Sequence, residues 1–334
     1  MKIVTKIENL ENHKNYIYFL KLIDDFLQKK GYQKIDLPVL SPALIPESYL
    51  EVFEAEFRYL DKREKLYLTP SPELFLKRLL IEGVDKCYYL GKSFRNSDLP
   101  SSLHSFEFTM LEFYKLGASY MEIAEEVLEM LRYISFRMFN KREFYYKNKK
   151  VVLRRWEFFS VSQAFHRFAG ISNDELFDKN KFIKKAKDKG YNVENSSYEA
   201  VWSQIYVQEI EPKLGIRGFP TLIYDYPKEF AALAKLNPDG KTAQRFEFYI
   251  NGIELGDCYT ELTDWKEQEK RFLKEVNKKK KLGKINHPID KGFIKALEYG
   301  LPPCAGIAIG VERLAIVFLG LESIDKLKVI DITL

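Results

Sequence analysis

The run RFEFYINGIEL, residues 245–255, leaves the backbone almost no choice. Two β-prone stretches meet at Asn251-Gly252, a pair suited to a two-residue hairpin turn whose central residues both take positive φ. Pairing across that turn sets Ile250 opposite Ile253 and Tyr249 opposite Glu254, with side chains alternating between faces. Glu247 lies two residues before Tyr249, so Glu247 and Glu254 emerge on one face as diagonal neighbours, about 7 Å apart between backbones. That is the arrangement needed to hold Mg²⁺ between phosphate oxygens. Taken alone, a solvent-facing acidic pair is the simpler reading.

At 334 residues the chain has room for two domains or for one large α/β or α+β unit with insertions. Its 46% hydrophobic and 30% charged residues allow a large core and exclude the disordered classes. No apolar run reaches the ~18 residues of a membrane span. The opening MKIVTKIENLENHKNY is too charged for the apolar centre of a signal peptide, so the expected location is the cytoplasm, with no membrane partner. Cys87, Cys258 and Cys304 lack CxxC spacing, and neither a disulfide framework nor a zinc site is expected. A net charge of +5 permits an acidic partner without requiring nucleic acid.

Residues 15–30, NYIYFLKLIDDFLQKK, place Ile17, Leu20, Ile23, Phe26 and Leu27 at helical spacing and stop at Gly31, which predicts an amphipathic helix. GYQKIDLPVLSPA is β-like, but Pro38 within it favours an edge, a break or an interface. In YLTPSPELFLKRLL, Ser71 reads as an N-cap, Pro72 as the first helical residue and Glu73 as a carboxylate at the positive helix end. CYYLGKSF (87–94) and FEFTMLEFY (106–114) read as strands around the loop RNSDLPSSLHS. A helix follows near 119–138, then the less patterned KREFYYKNKK, then a mostly helical segment over about 160–215. Residues 141–225 therefore read as a helical insertion in a single domain spanning 1–334. The run Lys278 to Lys281 reads as the solvated face of a charged helix. The chain closes with a helical ALEYG, a Pro-Pro turn, the small-residue strand CAGIAIG and the helix VERLAIVFLG.

In FEFTMLEFY, the residues Phe106, Phe108, Met110, Glu112 and Tyr114 share one face. An aromatic stripe is ordinary core, but rings mixed with a carboxylate suit a pocket that stacks a flat ring and binds an amine. Arg95 precedes the loop, and its guanidinium fork can grip a carboxylate or phosphate; a plain surface arginine is the alternative. GIAIGVER, residues 306–313, carries Gly306 and Gly310 in a strand that runs into a helix bearing Arg313. Its glycine spacing fits close helix–strand packing and lacks the GxGxxG order of a dinucleotide fingerprint.

Taken in order, these pieces resemble the three signature motifs of the class II aminoacyl-tRNA synthetases, and among them the lysyl branch. GYQKIDLPVLSPA resembles motif 1 with its interface proline at Pro38, SFRN with FEFTMLEFY resembles motif 2, and GIAIGVERL resembles motif 3 with Arg313. TPSPELFLKRLL, FPTLIYDYPKEFAALAK, RFEFYINGIELGDCYTELTD and EQEKRF resemble lysyl-type segments, and the likeness covers most of the chain. The catalytic pattern begins near residue 15, where a lysyl-tRNA synthetase would carry its anticodon-binding domain. The stretch from Thr263 to Leu314 resembles the truncated lysyl-type ligases that modify elongation factor P.

The resemblance implies an α+β catalytic domain, a mainly antiparallel sheet flanked by helices, dimerising through the Pro38 region and without anticodon-type tRNA binding. It implies ATP and Mg²⁺, activation of lysine or β-lysine as an aminoacyl-adenylate, and transfer to a lysine side chain of elongation factor P. Arg95 matches the catalytic arginine that bridges the amino acid carboxylate and the α-phosphate. Phe108 matches the ring stacked on adenine and Arg313 the catalytic arginine on the other adenine face, while Asn96, Asp98 and His104 fall in the ATP-binding loop. Glu247 and Glu254 match the carboxylates that hold Mg²⁺ and ATP. Glu73 matches the carboxylate on the substrate's backbone-type amine, and Tyr114 and Glu261 the partners of its side-chain ammonium, with Glu112 and Asp257 beside them. The chain departs from the family pattern at Ser97, where a glutamate usually stands, and at DLPSSLHSFEF, where His104 replaces the basic residues of the usual loop. It departs again at Gly256-Asp257, where the ligases carry Ala-Asn. Two other functions stay open on sequence: a stand-alone ligase with another acceptor, and an inactive paralogue that regulates a partner.

Overall fold

Asn251 and Gly252 take φ values of 56° and 75°, so the strands Thr242–Ile250 and Ile253–Thr260 close through the two-residue turn that their sequence demands. Ile250 opposes Ile253 and Tyr249 opposes Glu254, as simple pairing predicts. Beyond that pair the register slips: Phe248 opposes Gly256 and Glu247 opposes Asp257, which leaves Leu255 as a bulged residue. Glu247 and Glu254 still share a face, but the bulge brings Asp257 onto that face as well.

In the computed structural model, residues 1–96 and 100–333 are described. They fold as two units, one formed by residues 1–119 with 261 onward and the other by 120–260. In the first unit the strand Glu107–Leu116 lies between Lys86–Phe94 and Cys304–Gly310, antiparallel to both, and Gln33–Lys34 adds a short parallel edge. The two predicted motif strands thus form within about two residues of their expected ends.

The first long helix, Leu10–Lys29, starts earlier than residue 15 and buries Ile23, Phe26 and Leu27 as expected, with Ile17 the one predicted core position that turns outward. Tyr16, Phe19, Leu22, Ile23, Phe26 and Leu27 are buried, whereas Ile17 is 51% exposed. Aromatic packing selects that rotation, with Phe19 against Phe318 at 5.4 Å between ring centres.

The second unit places Glu157–Ser160 parallel to Thr221–Pro227, which pairs antiparallel with Thr242–Ile250 and so leads to the hairpin. Residues 160–215 are largely helical, as expected, and include Lys179–Asp188 and Tyr198–Ile205. The lysine-rich stretch before them is instead a second hairpin, Glu143–Tyr146 with Lys149–Val152. An aromatic core built from Phe165, Phe182, Trp202, Tyr206, Tyr226 and Tyr249 fastens the helices to this sheet. Among the described residues no helix is long and apolar enough to cross a membrane.

Candidate active site

The segment YLTPSPELFLKRLL builds one side of a buried charged cluster in the first unit. Its helix, Glu73–Ile81, begins one residue later than expected, with Pro72 ahead of it and the Ser71 hydroxyl accepting the Glu73 N–H at 3.1 Å. One turn along, Lys77 reaches back to Glu73 and across to Glu261 at 2.5 Å. Only 2% of the Lys77 side chain is exposed. The strand Glu107–Leu116 contributes Glu112, which accepts hydrogen bonds from Ser71 Oγ at 2.6 Å and from the Tyr114 hydroxyl at 3.1 Å. Tyr114 lies flat across from Gly306, where a Cβ would sit 2.2 Å from its ring. Glycine is therefore required opposite this tyrosine, a tighter demand than general helix–strand packing.

Among the described residues the cluster holds three buried carboxylates, Glu73, Glu112 and Glu261, and the Lys77 ammonium. Burial, with the nearby charge of Glu73, pushes the Glu112 carboxyl up to about 8 against the pull of its two hydroxyl donors and Lys77. Burial raises Glu261 as well, while Lys77 draws it back down. The Lys77 ammonium loses solvation, yet Glu261 and Glu73 more than compensate and keep it charged. Such a site is short of positive charge and favours a ligand that brings an ammonium.

Beside the loop that follows Lys86–Phe94, the Arg95 guanidinium lies over the Phe108 ring, 5.3 Å from its centre. Its Nε is buried without a hydrogen-bond partner among the described residues. Asn96 spends its side-chain amide on the Val52 carbonyl at 3.1 Å, so it anchors the loop. His104 is exposed and bonds through Nδ1 to Ser101 at 3.1 Å. Arg313 donates from Nε to the Leu103 carbonyl at 3.1 Å, which ties the last helix to the same loop. Asp98 and the Ser97 departure lie outside the described residues.

In the second unit Glu247 sits in a cage. Arg245 donates to its Oε1 at 2.8 Å and Tyr249 to its Oε2 at 2.6 Å, and Tyr206 joins Tyr249 and Tyr226 behind them. The same arginine donates twice to Asp257, each time at 2.9 Å, and Tyr259 donates to Asp257 at 2.7 Å. Burial pushes Asp257 up to about 6, with Arg245 pulling down and Glu247 pushing up. The charge of Asp257 is therefore largely taken up by Arg245. Glu247 is raised by burial and, after the opposing pull of Arg245, by the charge of Glu254.

The donor set fits a magnesium ion. Glu247 and Glu254 offer hard oxygen atoms on one face of the hairpin, and a dication there would relieve the repulsion that raises Glu247. Among the described residues no group of three or more metal-ligating side chains gathers.

Residues 5–330 match the family model described as tRNA synthetases class II (D, K and N). The chain belongs to this family. A lysine–tRNA ligase of Carboxydothermus hydrogenoformans is 33% identical over 310 residues, 91% of this chain but 62% of that protein. An elongation factor P–(R)-beta-lysine ligase of Hamiltonella defensa is 33% identical over 314 residues, 92% of this chain and 90% of that one. Another, of Avibacterium paragallinarum, is 34% identical over 311 residues, 91% of this chain and 90% of that one. Class II synthetases and ligases of this kind use ATP. Of the residues singled out from sequence, the class II fold brings Glu73, Glu112, Tyr114 and Glu261 together and stacks Arg95 on Phe108. It groups Glu247, Glu254 and Asp257 on the hairpin.

Sequence reasoning passed over Lys77, although the Glu-x-x-x-Lys spacing with Glu73 was visible on a predicted helix. It also passed over Arg245 and the tyrosines around Glu247, which are joined only by the tertiary fold. Glu312 was missed too: both of its oxygens accept the Thr109 N–H, at 2.8 and 2.9 Å, which holds the motif 3 helix against the motif 2 strand.

Proposed function

We propose that the chain activates a lysine-like diamino acid, α- or β-lysine, with ATP and transfers the acyl group to a lysine amine of elongation factor P. The observation that supports this most is the buried trio Glu73, Glu112 and Glu261 with Lys77 as the one cation paired with them among the described residues. A neutral side chain would leave that charge unpaired, whereas a second amine on the substrate satisfies it. The names of the two relatives whose length the chain nearly spans support the protein acceptor.

In the first step a carboxylate oxygen of the amino acid attacks the α-phosphorus of ATP, and pyrophosphate leaves. In the second, the acceptor amine attacks the acyl carbon, AMP leaves and the amine loses a proton, giving an amide. Two anions must meet in the first step, so the chain's contribution is positioning and charge neutralisation. Arg95 bridges the carboxylate and α-phosphate, and Phe108 and Arg313 flank the adenine. Asn96, Asp98 and His104 shape the nucleotide loop. Glu73 takes the backbone-type amine, Glu261 with Tyr114 takes the side-chain ammonium, and Glu112 tunes the charge around them. Glu247 and Glu254 would hold Mg²⁺, which supplies charge neutralisation at the phosphate oxygens.

The test is ATP–pyrophosphate exchange with α-lysine, both β-lysine enantiomers, ornithine and asparagine, with Glu254→Ala as control. Exchange with a lysine-like compound, lost in the variant, is expected. Acceptor choice is then read by offering elongation factor P and lysine tRNA to the charged enzyme. Exchange with none of the amino acids would sink the proposal and favour an inactive regulatory paralogue.

A further inference from the structure

Lys77 is an odd residue to find inside a cluster meant for an ammonium. It comes from the helix Glu73–Ile81, ion-pairs with Glu73 on its own helix and with Glu261 from a distant segment, and is shut away from water. A buried ion pair that served only the fold would need one carboxylate for one ammonium. Here the ammonium serves two, and a third acid, Glu112, lies close enough to feel Lys77. Both oxygens of Glu261 are buried with no hydrogen-bond partner among the described residues, and Oε2 meets Lys77 as an ion pair at 2.5 Å. An unpartnered, buried carboxylate oxygen is costly in an empty site, and an incoming ammonium removes that cost.

We propose that Lys77 is a positioning residue that determines substrate affinity: it clamps Glu73 to Glu261 so that the Glu261 carboxyl is held in place for the amine of the substrate. This rests on the lysine-type activation proposed above. The helix fixes Lys77 one turn from Glu73, so its ammonium cannot leave with product and acts as a permanent spacer between the two acids. The groups that face it are Glu73 from its own helix, Glu112 from the strand Glu107–Leu116, and Glu261 after the hairpin. The Cys304 thiol also feels the Lys77 charge. Among these Lys77 is the only cation, so its loss should push the acids up and disfavour their charged forms.

The experiment compares wild type with Lys77→Met and Lys77→Arg by calorimetric titration of lysine and by pyrophosphate exchange against pH, with a melting curve for each protein. Lys77→Met is expected to weaken lysine binding and raise its KM by roughly tenfold or more, the weight of one charged hydrogen bond. The KM for ATP should stay within about twofold, and the acid limb of kcat/KM should move up by at least about one pH unit. Lys77→Arg should recover part of each effect. The proposal is overturned if Lys77→Met binds lysine as wild type does with an unmoved acid limb. It is equally overturned if the KM values for lysine and ATP rise together with a lowered melting temperature that Lys77→Arg shares. Wild type that binds lysine without exchanging pyrophosphate would defeat the activation reading while leaving the role of Lys77 readable in the titration.

Discussion

Glu112 carries a pH signature that a single substitution can read. Its carboxyl titrates near 4.5 when unperturbed, and burial together with the Glu73 charge lifts it to about 8 in the fold. The folded chain therefore holds this proton more tightly than the unfolded chain. The stability that results is complete below about pH 4.5 and is lost as pH rises through about 8. Glu112→Gln removes the titration while leaving an acceptor for Ser71 or Tyr114. The melting temperature of the free protein should accordingly fall between pH 5 and pH 8, and fall less steeply in Glu112→Gln. A lysine-like amino acid added at pH 8 should restore part of the loss in wild type, because its ammonium supplies the missing charge. Parallel melting curves for the two proteins across that range would show that Glu112 is not the group responsible.

Among the elements, the pairing of Cys304–Gly310 with Glu107–Leu116 decides where the Tyr114 ring can lie. Gly306→Ala would drive a methyl group into that ring, which must tilt away from Glu112. The expected cost is about 1–3 kcal/mol in unfolding free energy, with a higher KM for the amino acid and little change for ATP. Denaturant unfolding and exchange kinetics check both parts, and an unaltered amino acid KM would free Tyr114 from any role in substrate binding. Elements of this kind were legible in proportion to how local their cause is. The hairpin at Asn251-Gly252 follows from two residues, and the motif strands follow from period-two runs. The hairpin Glu143–Tyr146 with Lys149–Val152 was obscured because its turn puts Lys147 and Asn148 at φ values of 47° and 62°, and lysine gives no signal for that conformation. The bulge at Leu255 had one faint marker, Gly256 inside a strand. The partners of Glu247 had none, since Tyr206 reaches it from 41 positions away in sequence. Lys77 and Glu261 likewise meet only through the tertiary fold, so the carboxylates could be named from a family pattern while the cation between them could not.

At the scale of the whole molecule, the unmatched feature is apolar surface along the first helix and the segment after it. The helix Leu10–Lys29 buries one face and leaves Ile17 and Tyr18 51% and 39% exposed. Further on, Pro38 is exposed and Leu40 is 41% exposed, in the stretch that resembles motif 1. Leu40–Ser41 is the edge strand of a three-stranded sheet, paired antiparallel with Lys62–Leu68, and Pro38 just ahead of it offers no backbone donor to a further strand. We propose that a second copy of the chain covers this surface. Sedimentation velocity at micromolar concentration should give a particle of two 39.4 kDa chains. Ile17→Glu combined with Leu40→Glu should reduce it to one, because burying two glutamates in an apolar contact is strongly unfavourable. The competing patch is the cross-strand pair Ile3 and Ile332, 77% and 44% exposed, on the two-stranded sheet formed by Lys2–Thr5 and Ile330–Thr333. A dimer that survives the first double variant but dissociates with Ile3→Glu and Ile332→Glu would move the interface there, and a wild-type particle of one chain would remove the dimer altogether.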